Sequence, residues 1–132
     1  MLVTLDTSVV MAVLLEEPSK KGIIAKTQGA DLQAPPSLFW EVGNALSSLM
    51  RRSLLDAQAA LVAITAFESI PIRFAEVDLD SVIRLVDLHS MWAYDAYVIQ
   101  CAKKYRTPLL SLDQAQCRIA AAEGVDVWEI NL

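Results

Sequence analysis

The sequence predicts an α/β fold built on a central, mainly parallel sheet of about five strands. Three observations carry that expectation. Short apolar runs of strand length, Leu2 to Leu5 and Leu109 to Leu112, each lead directly into an aspartate. Longer stretches with helical periodicity separate such runs, so strands and helices alternate as they do in βαβ crossovers. The prolines at 18, 35, 36, 71 and 108 fall between these stretches.

Taken in order, Leu2 to Leu5 forms the first buried strand, and Thr7-Ser8 supplies turn and cap chemistry ahead of a helical run from Val9 to Leu15. Pro18 breaks that run, Ser19 caps a second helix through about Thr27, and Gly29 ends it. A short strand follows at Leu32 to Ala34. Pro35-Pro36-Ser37 is a rigid turn into an amphipathic helix from about Leu38 to Arg52, with Leu38, Val42, Ala45, Leu46 and Leu49 on its buried face. Asp56 caps the next helix, whose stripe is Ala60, Ile64 and Phe67, and Pro71 to Ala75 is a short strand. Helices are expected at Leu79 to Leu88 and at Tyr94 to Tyr105, the second burying Val98, Ile99 and Ala102. Pro108 opens the next strand, Asp113 begins a helix that Gly124 ends, and Val125 to Ile130 is the last strand. With no repeat, low-complexity segment or long linker, residues 1–132 are expected to form one domain.

Composition narrows the class. A hydrophobic content of 55% with 20% charged residues excludes a disordered chain. No apolar stretch approaches the ~20 residues that span a bilayer. The first apolar run has no basic segment before it and breaks at Asp6, unlike a secretory signal, so a cytoplasmic location without membrane contact is expected. Cys101 and Cys117 form no CxxC pair and read as core thiols, and the lone His89 reads as structural. Any metal is therefore held by oxygen. The net charge of −5 argues against a phosphate-bearing partner, but setting aside Asp6, Glu41, Asp95 and Asp113 leaves twelve acidic against eleven basic residues.

Those four carboxylates are the strongest functional signal. Asp6 and Asp113 sit at strand ends, which share one edge in a parallel sheet. Each is also a good N-cap, and Asp113-Gln114-Ala115-Gln116 has capping-box spacing. Asp95 in a first helical turn complements the helix dipole, although Trp92, Tyr94 and Tyr97 surround it with apolar area. Glu41 is mid-helix and serves as no cap, so its plain alternative is a solvent-facing position. Asn44 lies one turn further along, followed by Ser48, which makes a polar stripe able to orient a carboxylate. Clustered carboxylates repel unless protons or cations join them, and magnesium or manganese suits an all-oxygen set.

Leu5-Asp6-Thr7-Ser8, Glu41-Val42-Gly43-Asn44-Ala45-Leu46, Tyr94-Asp95-Ala96-Tyr97 and Leu110-Ser111-Leu112-Asp113 together resemble the PIN-domain ribonucleases, most of all the VapC-type toxins of type II toxin–antitoxin systems. The resemblance covers the whole chain. It implies a PIN-like three-layer α/β/α fold and an endoribonuclease dependent on Mg2+ or Mn2+ that leaves 5′-phosphate and 3′-hydroxyl ends. Asp6, Glu41, Asp95 and Asp113 would be its catalytic and metal-binding residues, with Thr7, Asn44 and Ser111 as polar supports. It also implies a homodimer and a cognate antitoxin. The family often carries a further acidic or amide residue just after the fourth acid; here Gln116 and then Cys117 follow, which leaves a second metal's ligation open.

Candidate RNA contacts are Arg51, Arg52, Lys103 and Lys104, with Lys20, Lys21 and Arg106, although cations at helix C-termini also offset the dipole. Trp40, Trp92 and Tyr94 are either base-stacking residues or core. The rival from another class is a catalytically silent PIN module that binds RNA or a protein. A receiver-like domain fits less well, because Thr7-Ser8 follows Asp6 where it would carry paired acids. A haloacid-dehalogenase-like phosphatase would need an aspartate in place of Ser8.

Overall fold

The structure is a computed structural model, and it describes residues 1–130. The chain runs through β1 (Leu2–Leu5), α1 (Thr7–Leu14), α2 (Lys20–Thr27), β2 (Asp31–Ala34), α3 (Ser37–Arg51) and α4 (Ala57–Ser69). It continues through β3 (Ile72–Phe74), α5 (Leu79–His89), α6 (Ala93–Tyr105), β4 (Leu109–Leu110) and α7 (Gln114–Ala122). The sheet has four parallel strands in the order β3-β2-β1-β4, with Thr4 level with Gln33 on one side and with Leu109 on the other.

Alternation along the strands separates two apolar layers. Val3, Leu5, Ala34 and Leu110 pack with Val9, Ile23, Leu38, Val42, Leu46, Ala63 and Phe67, which come from α1 to α4. Leu109 packs on the opposite face with Val82, Leu85, Ala96, Val98, Ile99, Ala102 and Ala120, from α5 to α7. Each fully buried Val, Leu, Ile or Phe among them stabilises the fold by roughly 1.5–3 kcal/mol. Covering both faces is why the strands read as continuous apolar runs.

Thr4 points to the second layer and anchors a buried polar row there. Its Oγ1 accepts from Gln33 Nε2 at 2.9 Å and lies 2.6 Å from Thr107 Oγ1. Burial beside this row pushes the Cys101 thiol up to about 11, so it stays neutral, as expected of a core cysteine. Cys117 departs from that expectation, being only half-buried, with Sγ 3.7 Å from the Ser111 carbonyl oxygen.

Other local expectations are corrected. The proposed strand at Val125 to Ile130 reduces to a single parallel bridge between Val127 and Leu109. Its neighbour β4 has only two residues before the chain turns to feed α7, so there is little left to pair with. Thr7 is the first residue of α1 rather than part of a turn, because Asp6 is the cap. Ser19 makes no capping bond: its backbone is already helical, whereas a cap needs an extended residue to swing its oxygen over the first turn. Ala45, Leu49 and Ile64 are half-buried, and Ala63 takes the inward position on α4. No helix among the described residues is long and apolar enough to cross a membrane.

Candidate acidic active site

Parallel pairing brings the ends of β1 and β4 to the same edge, where the Asp6 amide donates to the Leu110 carbonyl at 3.0 Å. Asp6 is buried and does two things at once. Its Oδ2 accepts the Ser8 amide at 3.0 Å, capping α1, while its Oδ1 accepts from Gln116 Nε2 at 3.2 Å. Capping and site-building are thus compatible functions of one carboxylate. The Ser8 hydroxyl accepts the Leu112 amide at 3.0 Å and ties the start of α1 to the turn after β4.

Asp113 caps α7 by accepting the Gln116 amide at 3.1 Å, but the return half of the capping box does not form. The Asp113 amide donates instead to Ser111 Oγ at 3.0 Å. The Gln116 side chain, 1% exposed, turns inward. Its Oε1 accepts from the Ser111 hydroxyl at 2.6 Å, and its Nε2 donates to both Asp6 Oδ1 and the Asp95 carbonyl at 3.2 Å. One carboxamide therefore links three of the four acid-bearing segments. Capping-box spacing had offered a simpler use for Gln116, and only its burial reveals this one.

Glu41 enters from α3, which begins just past the end of β2 and so starts at this same edge. Its Oε2 accepts from Thr7 Oγ1 at 2.6 Å, whereas Oε1 is buried without a hydrogen-bond partner. Thr7 thus contacts the Glu41 carboxylate directly, whereas Ser111 meets Asp113 through the latter's backbone amide. Asn44 is exposed and lines the adjoining cleft instead of bonding to Glu41. That cleft, of about 530 Å3, is bounded by Thr7, Trp40, Glu41, Asn44, Ala45 and Tyr94.

The electrostatics show the acids acting on one another. Burial chiefly raises the Glu41 pKa; the Thr7 hydrogen bond lowers it in part, Asp6 and Asp95 raise it further, and the nearby Ser37 hydroxyl lowers it slightly. Burial likewise raises the Asp95 pKa, with added repulsion from Asp113 and Asp6. A carboxyl whose folded pKa lies above its unfolded value adds stability at low pH, and that stability is lost as pH rises through the folded pKa. In chelator, Asp95→Asn is therefore expected to melt above the parent at neutral pH, the gap closing below about pH 4, near the unfolded carboxyl pKa. Thermal melts across that range check it; an equal or lower melting temperature at neutral pH would refute it.

The donor set fits a hard cation in chemistry: four carboxylates, no thiol or imidazole, mutual repulsion, and an unpartnered buried oxygen on Glu41. Among the described residues no group of three or more His, Cys, Asp or Glu side chains is already drawn into chelating arrangement. A bound ion would supply the charge that gathers them.

The basic residues lie apart. Lys103 pairs with Glu123 at 2.6 Å and Lys104 with Asp78 at 2.9 Å, at the far end of α6, roughly 12 Å along the helix from Asp95. Glu123 also meets His89 at 2.7 Å, a structural place for that histidine, and Lys103 and then His89 hold its pKa down. Arg51 ends α3, Arg52 is its C-cap, and Arg106 is the left-handed C-cap of α6. Trp40, Tyr94 and Trp92 are 70%, 58% and 83% exposed, so none is core.

Together the layers and the acidic edge define a parallel α/β domain with a carboxylate site at the strand ends. The chain belongs to the PIN domain family, whose model matches residues 3–122; PIN domains are in general metal-dependent nucleases. No curated protein sequence matches it. Solved structures of similar fold include PAE2754 from Pyrobaculum aerophilum, 21% identical, with 90% of this chain and 87% of that one covered and a TM-score of 0.69. VapBC2 from Rickettsia felis, bound to a DNA fragment from their promoter, is 11% identical over 99% and 100% of the two chains, with a TM-score of 0.70. FitAcB from Neisseria gonorrhoeae is 17% identical over 96% of each, at 0.62. At these identities the likeness is one of fold.

Proposed function

We infer that the chain is a cation-dependent endoribonuclease of the VapC type, the toxin of a toxin–antitoxin pair. The observation that carries this reading is that Asp6, Glu41, Asp95 and Asp113 lie near enough to one another in a PIN domain to raise the Glu41 and Asp95 pKa values, with the buried Gln116 amide tying three of the four segments together. Asp6, Asp95 and Asp113 are the residues to hold Mg2+ or Mn2+, with Glu41 as a further ligand or the holder of its water. When bound, the cation supplies a water of lowered pKa and offsets charge gathering on the phosphate.

The chain's own residues do the rest. Thr7 fixes Glu41 through Oε2 and leaves Oε1 as the atom to take the proton of the attacking water. Gln116 and Ser111 keep Asp6 and the first turn of α6 in place. Hydrolysis leaves a 5′-phosphate and a 3′-hydroxyl.

A VapB–VapC pair among the structures of similar fold supports a protein partner, the cognate antitoxin. Exposed Leu61 and Val62 on α4 and Leu79, Ile83 and Leu88 on α5 leave apolar surface for it and for a second copy of the chain. The test is to induce the chain and its Asp95→Asn variant in cells and map new RNA 5′ ends, with purified protein assayed in magnesium, manganese and chelator. New ends at fixed positions are expected with the parent and not with the variant. Identical ends from both, or cleavage that survives chelator, would overturn the assignment.

A further inference from the structure

We propose that Trp40 and Tyr94 form a stacking clamp that holds unpaired RNA bases beside the acidic site, so that aromatic contact and not cationic contact supplies most of the substrate affinity there. The proposal rests on the nuclease reading above and adds which residues select the substrate and by what force.

Trp40 immediately precedes Glu41, and Tyr94 immediately precedes Asp95, so each ring is carried next to one of the acids. The two rings come from different helices, α3 and α6, and line one cleft together with Thr7, Glu41 and Asn44. Both are more than half exposed, at 70% and 58%. Each is braced by one aromatic neighbour nearly at right angles: Phe39 against Trp40 at 4.8 Å, and Tyr97 against Tyr94 at 5.6 Å. Such bracing restrains a ring without covering both of its faces. The two exposed rings are not scattered singly but share one charged cleft.

Cations, the usual source of affinity for RNA, do not line this cleft. Lys103 and Lys104 are committed to Glu123 and Asp78, and Arg51 lies roughly 15 Å along α3 from Glu41. The acids themselves repel phosphate. Base stacking is indifferent to that charge and is available to every base with a free face. Paired bases inside a duplex have no free face, so the clamp selects single-stranded segments.

The test uses the full chain with Trp92→Phe and Trp128→Phe, which leaves Trp40 as the sole tryptophan. Its fluorescence is followed in chelator and in calcium with single-stranded oligoribonucleotides, their abasic counterparts and a duplex of the same length. Quenching by the base-containing single strand is expected, with affinity about tenfold or more above the other two. That affinity should change less than about threefold between roughly 50 and 200 mM salt, where four phosphate contacts would change it about fiftyfold. Followed by the anisotropy of end-labelled RNA, Trp40→Phe should retain binding, whereas Trp40→Leu and Tyr94→Leu should each lose about tenfold and carry the loss into KM, not kcat.

Equal binding of abasic RNA, retention of affinity by the leucine variants, or a steep salt dependence would each overturn the clamp. So would quenching by an apolar peptide with none by RNA, which would give Trp40 to a protein partner. If the parent cuts no RNA but base-dependent quenching holds, the nuclease reading fails and the clamp stands. If cleavage is found and the bases make no difference, the clamp alone fails.

Discussion

Asp6→Asn is expected to lower cation-dependent RNA cleavage by at least about a hundredfold, while the melting temperature stays near that of the parent. The floor follows from outer-shell residues, whose loss costs metal affinity or activity about 10–100-fold; a ligand should exceed that. Retained stability follows from geometry. Asparagine caps a helix nearly as well as aspartate, so the Ser8 amide keeps its acceptor. Its side-chain nitrogen then faces Gln116 Nε2, so that amide loses its acceptor at a cost of about 1–3 kcal/mol, set against relief of repulsion with Glu41 and Asp95. The measurement pairs thermal melts with a contaminant-controlled cleavage assay. Full activity in a well-folded Asp6→Asn protein would remove this residue from the reaction.

The largest expected effect on stability belongs to Gln116. In Gln116→Leu, Asp6 Oδ1 and the Ser111 hydroxyl lose a partner in a buried setting, and the Asp95 carbonyl loses one in a half-buried setting. Each such group costs about 1–3 kcal/mol when stranded, so a loss of roughly 3 kcal/mol or more is expected in urea unfolding. Gln116→Glu is more informative, because it replaces a donor to Asp6 by another carboxylate. Its buried carboxyl should have a folded pKa above the unfolded one, so the variant approaches the parent's stability in acid and falls away as pH rises. A divalent cation should restore part of the deficit by binding the folded state alone. If Gln116→Leu unfolds within about 0.5 kcal/mol of the parent, the carboxamide is not the organiser described here.

The layered architecture was legible because hydrophobic periodicity and proline punctuation report on local structure, and both faces of the sheet are apolar. The four acids were legible as a group by their order along the chain. Their neighbours were less so. Gln116 satisfied a local motif, and no spacing rule distinguishes a glutamine that closes a capping box from one that turns inward to serve three distant segments. Ser19 fails for the converse reason: residue type permitted a cap, but its backbone angles do not. The run after Gly124 has the alternation of a strand, yet pairing depends on the length of β4, which is set by where the chain must turn into α7. Basic residues near helix ends were ambiguous from sequence, and their partners Asp78 and Glu123 lie 26 and 20 residues away from Lys104 and Lys103.

The bond between Gln116 and Asp6 spans 110 positions, and that between Leu112 and Ser8 spans 104. Contacts this remote form late, because the intervening chain must first give up its freedom. During synthesis, the first half of the site waits beside an incomplete sheet until β4 and α7 have left the ribosome. Activity would then arise abruptly rather than grow with chain length. A chain interrupted before residue 116 would lack the carboxamide that joins its acid-bearing segments.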